Sequence, residues 1–246
     1  MLRRLMLRRL MLRRLVLRRL AVVLAATLLV SACAPLGRLP IGGVPGPVAR
    51  PTGSSATSSC PTSQPAALGP GQKRTVTITT TKGTFVISID ADLAPIATGN
   101  FVALAQCGWY TGVVFSRLVP GFVIQGGDGQ YGRVGADGKL SADDMLRMGA
   151  GQLGYFIADD PVTTRYVRGT VAMARTPDPD SQSDQFFIVL ADSAGAGLSQ
   201  ANTYAILGKV STGMDVVDAI AGMPNSGDPD NRPIDPVPMT SVTVSP

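Results

Sequence analysis

The chain has 246 residues, with 22 Lys and Arg against 17 acidic residues, a formal net charge of +5 and no histidine. Every acidic residue is an aspartate. Without histidine there is no Ser-His-Asp triad, no His-ligated metal site and no imidazole acting as general base.

The chain opens MLRRLMLRRLMLRRLVLRRL, a five-residue unit written four times, and continues AVVLAATLLVSAC. A basic stretch, an apolar run and small residues before a cysteine make a secretory signal. The apolar run is short of the roughly 20 residues a membrane span requires. Val30-Ser31-Ala32-Cys33 resembles the lipobox of bacterial lipoproteins. That resemblance implies lipidation at Cys33 and an extracytoplasmic protein anchored to the cell membrane. An ordinary secretory signal cut nearby is the alternative, and Met6 and Met11 are alternative starts. Residues 1–32 are therefore expected to be a signal peptide. They hold eight arginines within residues 1–20, and without those, 14 basic residues face 17 acidic ones, a net charge of −3. The basic character lies in the signal, so nucleic acid is not expected as a partner.

Residues 33–72 are rich in Pro, Gly, Ser, Thr and Ala and poor in aromatics, the composition of a flexible tether. Residues 73–246 are long enough for one domain with its own core. Cys60 and Cys107 remain once Cys33 is set aside, and in an exported protein such a pair suits a disulfide better than a metal site. No metal or cofactor is expected. No heptad or long apolar face suggests assembly, so a monomer is expected.

In chain order, Thr75–Thr81 and Thr84–Asp90 alternate around Lys82-Gly83, a β-hairpin signature. Pro95–Gln106 reads as a helix with Ile96, Phe101, Leu104 and Ala105 on one face and Gly108 as the stop, although Gly99 weakens it. Val113–Val119 and Phe122–Gly126 follow as strands. Residues 128–168 are Gly- and Asp-rich and mostly irregular, with a short helical turn near Asp143–Arg147; loops of that length are often functional or mobile. Strands return at Gly169–Ala174, Gln185–Leu190 and Tyr204–Val210, then a helix at Met214–Ile220 and a closing strand at Thr240–Val244. Strands without βα alternation indicate a mainly β antiparallel barrel or sandwich.

No G-x-S-x-G elbow, P-loop or Cys/His pair is present. Calcium ligation at Asp178/Asp180 or Asp228/Asp230 is possible in principle, but in Pro-rich loops solvated charge is the plainer reading. What stands out is FSRLVPGFVIQGGD at 115–128, an apolar run carrying Arg117 and Gln125. A charge and an amide so placed cost free energy unless paired or used. At period 2, Phe115 and Arg117 share one face of their strand, as Gln185 and Phe187 share one of theirs. An apolar floor with a cation and two amides at its rim suits a neutral, carbonyl-bearing ligand. The alternative is that Arg117 pairs with an aspartate while the amides cap backbone groups.

The run at 115–128 is followed by RGTVAMAR at 168–175, SDQFFIVL at 183–190 and YAILGKVSTGMDVVDAI at 204–220. In this order the four blocks resemble the cyclophilins, the peptidyl-prolyl cis-trans isomerases, whose patterns are FHR-x-x-PGF-x-IQGGD, G-x-[LV]-[AS]-MA, SQFFI and FGKV-x-x-GM-x-V-V. The resemblance spans roughly residues 73–246. It implies a closed eight-stranded antiparallel barrel with a helix at each end, and rotation about X–Pro bonds of proline-containing polypeptides during the folding of exported proteins. A catalytically weak peptide-binding or chaperone module is the alternative. It also implies that Arg117 is the catalytic arginine, that Gln125 holds it and the substrate backbone, and that Gln185 is the second amide. By the same resemblance Phe122, Val123, Phe187 and Leu198 line the proline pocket, Ala174 and Arg175 pair with the substrate backbone, and Tyr204 falls at a histidine position. Alternation places Phe122 opposite Gln125, so a bend near Pro120-Gly121 is required. Two further departures are Ser116 for the histidine of FHR and Gly197 for a tryptophan that contributes to cyclosporin binding in the family. The second implies weak cyclosporin binding.

Overall fold

The computed structural model describes residues 59–246. The expected signal at 1–32, the lipidation residue Cys33 and the tether up to residue 58 lie outside the described residues. Eight strands form one antiparallel sheet: β1 (Lys73–Thr80), β2 (Gly83–Asp90), β3 (Phe115–Val119), β4 (Val123–Gly126), β5 (Thr170–Met173), β6 (Phe186–Val189), β7 (Ile206–Thr212) and β8 (Met239–Ser245). Among the described residues four helices accompany them: α1 (Pro95–Gln106), α2 (Ala142–Arg147), α3 (Ala194–Ala201) and α4 (Met214–Ala221). The expected strands and the two expected helices are present within a few residues. The turn near Asp143 is the helix α2, with Ser141 Oγ accepting from Asp144 N at its start. The helix α3 has no counterpart in the sequence reading, because AGAGLSQA carries too few apolar residues to show a period.

The strand order is β3-β4-β6-β5-β7-β2-β1-β8, an open half-barrel and not the closed barrel expected. β3 and β8 end the ladder. Between them run only an isolated bridge, Val114 to Pro238, and a few backbone bonds. These include Gly112 N to Met239 O at 2.7 Å and Phe115 N to Val237 O at 3.1 Å. Prolines 236 and 238 lead into β8 and have no N–H to donate, which interrupts pairing at this seam.

Side chains alternate across the sheet. Ile124, Val171, Met173, Phe186, Ile188 and Leu207 point inward with Phe85, Phe101 and Phe115. Val123, Ala172, Phe187, Val189 and Ile206 point outward, where Leu198 and Tyr166 join them in a second apolar cluster. The two faces follow from the period of two. The second cluster forms an apolar layer on the outer face of the sheet.

The start of the folded part lies earlier than the tether boundary at residue 72 implied. Cys60 is disulfide-bonded to Cys107, just past α1. Leu68 N donates to Pro95 O at 3.0 Å, and Gln64 Oε1 accepts from Ala158 N at 2.9 Å. α1 is thus covered on both sides and buries nearly all its faces, not the single stripe expected. Gly99 fits here because a Cβ would lie 2.4 Å from Ala66 O. Ala94 offers α1 no side-chain cap, and the buried Asp160 carboxylate serves instead, accepting from Ala97 N at 2.8 Å and Ile96 N at 3.4 Å.

Candidate active site

Arg117 and Gln125 are direct partners across the β3–β4 ladder. Ser116 has no partner, so the register shifts there as a β-bulge. The bulge corrects the expectation that Phe115 and Arg117 share a face. Phe115 is fully buried inside the sheet, whereas Arg117 emerges on the outer side with Gln125. The bend required at Pro120-Gly121 is present. Gly121 takes φ of 71°, a region glycine enters without cost, and Phe122 N donates to Val119 O at 3.0 Å. Phe122 therefore lies outside β4 and turns to the same side as Val123 and Gln125.

A cavity of about 250 Å³ lies on this outer face. Its floor is Val123, Phe187, Leu198, Phe122 and Tyr204, and Arg117, Gln125, Ala174 and Arg175 stand around it. Nine of the ten residues named from the sequence are thus gathered around one cavity. The tenth, Gln185, is bonded to one of the nine: Gln125 Nε2 donates to Gln185 Oε1 at 2.9 Å. Gln185 Nε2 in turn donates to Gly151 O at 3.0 Å and Gly149 O at 3.2 Å. With its amide N–H committed to Gln185, Gln125 accepts no side-chain hydrogen bond at Oε1 among the described residues. Arg117 forms no ion pair among the described residues, which removes the alternative of an Arg117–aspartate pair.

The Arg175 guanidinium is engaged with Asp159 at 2.6 Å and with the carbonyl of Asp178 at 2.6 Å, and so ties two loops together. Tyr204 packs edge-on to Phe187, with ring centroids 5.3 Å apart, and closes the floor with its ring. Gly197 is exposed and has open space around it.

The 128–168 segment is pinned beside the site by Asp128, whose carboxylate accepts from the backbone N–H groups of Gln130, Tyr131, Gly149 and Gly151. Sequence reasoning missed the role of Gly149 and Gly151 as acceptors for Gln185, since carbonyl acceptors in a glycine-rich loop leave no side-chain signature. A second cavity of about 210 Å³ lies beyond Gln185, lined by this loop together with Phe156 and Thr176. Beneath it Asp184 is buried, with Oδ2 accepting from Trp109 Nε1 at 3.2 Å and Gly129 N at 3.3 Å. Oδ1 has no partner. Burial pushes this carboxyl up to about 6, against the partial relief of its hydrogen bonds.

Comparison with known proteins agrees with this geometry. Residues 75–244 match the family described as cyclophilin type peptidyl-prolyl cis-trans isomerase/CLD. A peptidyl-prolyl cis-trans isomerase of Acinetobacter baylyi is 36% identical over 172 residues, covering 69% of this chain and 84% of that protein. Peptidyl-prolyl cis-trans isomerase B of Escherichia coli is 34% identical over 176 residues, covering 69% of this chain and 99% of its own length. The crystal structure of a cyclophilin type isomerase from Cryptosporidium parvum superposes with a TM-score of 0.57 at 26% identity, over 71% of this chain and 99% of that one. That protein was also solved in the presence of the dipeptide Ala-Pro. The chain belongs to the cyclophilin-type peptidyl-prolyl cis-trans isomerases.

Proposed function

We propose that this isomerase acts on proline-containing polypeptides outside the cytoplasm, held at the membrane through a lipid on Cys33, with Arg117 as its catalytic donor. The reaction is rotation about a bond whose barrier is about 18–20 kcal/mol and whose uncatalysed passage takes tens to hundreds of seconds. As the amide twists, conjugation is lost and the prolyl nitrogen gains a lone pair. A donor aimed at that nitrogen stabilises the twisted state more than either planar one, which is what acceleration requires. No bond breaks, so neither nucleophile nor metal has a step to perform.

The observation that supports Arg117 most is its guanidinium, without an ion pair among the described residues, on a chain position that borders the apolar cavity opposite Gln125. A prolyl ring on the Phe122, Val123, Phe187 and Leu198 floor would bring its nitrogen to that edge. Gln125 Oε1 can accept from the substrate backbone or steady the guanidinium, while Gln185 keeps Gln125 in place. Ala174 continues from β5 at the cavity edge, where an extended substrate can lie along the backbone. Weak cyclosporin binding follows from Gly197, which offers no indole. Acceleration of X–Pro isomerisation in a short peptide, lost in Arg117→Ala, tests the catalytic part. Incorporation of labelled fatty acid in the wild type but not in Cys33→Ala tests the anchor.

A further inference from the structure

Arg117 borders a third cavity on the side away from the apolar floor. It has a volume of about 230 Å³ and is bounded by Ser116, Arg117, Gln125, Asp230 and Arg232, with Met148 and its neighbours closing the far wall. The loop that brings Arg232 here is firmly held. β3 is an edge strand, and in place of another strand it bonds this loop: Leu118 N donates to Asn231 O at 2.8 Å, and Asn225 Nδ2 donates to Leu118 O at 3.1 Å. Arg232 N donates to Ser226 Oγ at 3.0 Å, and its Nη1 to Leu146 O at 2.8 Å. The guanidinium is positioned while most of its donors remain uncommitted.

Two arginines therefore border one cavity, and among the described residues that line it only Asp230 opposes their charge. Asp230 forms an ion pair with neither arginine. The described domain has 12 basic against 17 acidic residues, so a cavity with two cations and one anion runs against the surrounding charge. Ser116, on the bulge, contributes only a small side chain to this wall.

Resting on the reading of Arg117 as the prolyl-site donor, we infer that this cavity is a subsite for an acidic side chain of the substrate, a few residues from the proline, with Arg232 as its specificity-determining residue. A carboxylate there accepts from Arg232, and its proximity also favours the cationic edge that Arg117 presents. The preference is partly exposed to solvent, so it is modest and weakens with salt.

The test uses the full chain and a panel of proline peptides, each with a single glutamate at one of two positions before or two positions after the proline, beside glutamine counterparts. Both kcat/KM and Kd are measured. One placement is expected to favour glutamate by about fivefold at low ionic strength. Arg232→Gln should bring that ratio close to one, Arg232→Lys should retain part of it, and Asp230→Asn should raise it. Equal handling of glutamate and glutamine at every placement, or a preference that survives Arg232→Gln, overturns the subsite. If Arg232→Gln fails to fold, the rise in Asp230→Asn decides alone, and its absence overturns the proposal. A wild type that turns over none of the peptides contradicts the isomerase reading instead, and the Kd ratios still decide the subsite.

Discussion

Arg117 and Gln125 face each other across β3 and β4 because Ser116 between them and Phe115 is left out of the register. Without that bulge, the alternation of β3 would send Arg117 to the same side as Phe115, into the apolar interior. One extra residue thus separates a core aromatic from a cation at the outer cavity two positions away.

Gln125 and Gln185 act as a chain, since Gln185 is itself fixed by the carbonyls of Gly149 and Gly151. Gln125→Leu and Gln185→Leu are each expected to lower kcat/KM by about tenfold, roughly 1.4 kcal/mol of transition-state stabilisation. The double variant should lose much less than the product of the two. Steady-state kinetics on one X–Pro peptide checks this, and full additivity would mean the two amides act separately.

Asp184 makes stability depend on pH. Its folded-state value of about 6 stands above the ordinary 3.8, so the native chain binds more protons than the unfolded one between those values. Stability from this group is therefore highest below about pH 4 and is lost as pH rises through 6. Asp184→Asn is expected to gain about 1–3 kcal/mol at pH 8 and little at pH 4. Urea unfolding at the two pH values reads the difference.

The strands and two helices were legible in the sequence because β-branched alternation and helical spacing are local signals. The open seam was not, since it depends on where Pro236 and Pro238 meet β3, residues more than a hundred positions apart. The pocket residues were named from the family resemblance, and the structure brings nine of the ten to one cavity. The orientation of Phe115 against Arg117 was not legible, because a bulge has no residue signature when the extra residue is a serine. Gly99 looked like a weakness of α1 for the same reason: the backbone of residues 66–68 that requires it is distant in sequence.

Gly99→Ala is accordingly expected to destabilise the protein, against the usual helix preference for alanine. The added Cβ would stand 2.4 Å from Ala66 O, so the covering segment must shift. A loss of about 1–3 kcal/mol in chemical denaturation is expected. Stabilisation by alanine would mean that residues 66–68 do not lie against α1.

Cyclosporin sensitivity should follow residue 197. Gly197 is exposed, and nothing lies within 4 Å of a Cβ placed there, so a larger side chain fits. Gly197→Trp is expected to tighten cyclosporin inhibition by about tenfold, near the top of the roughly 0.5–1.5 kcal/mol of an aromatic contact. Inhibition curves on the wild type and the variant are compared directly.

The most direct test of the account is the isomerisation rate of a short X–Pro peptide with wild type, Arg117→Lys and Arg117→Ala, each checked for an unchanged circular dichroism spectrum. A directed charged donor is expected to contribute about 3 kcal/mol, so Arg117→Ala should fall by at least a hundredfold. Arg117→Lys should recover only a small part, because a compact ammonium lacks the planar fork. Wild-type activity that persists in a folded Arg117→Ala protein would contradict the assignment of Arg117 as the donor to the prolyl nitrogen.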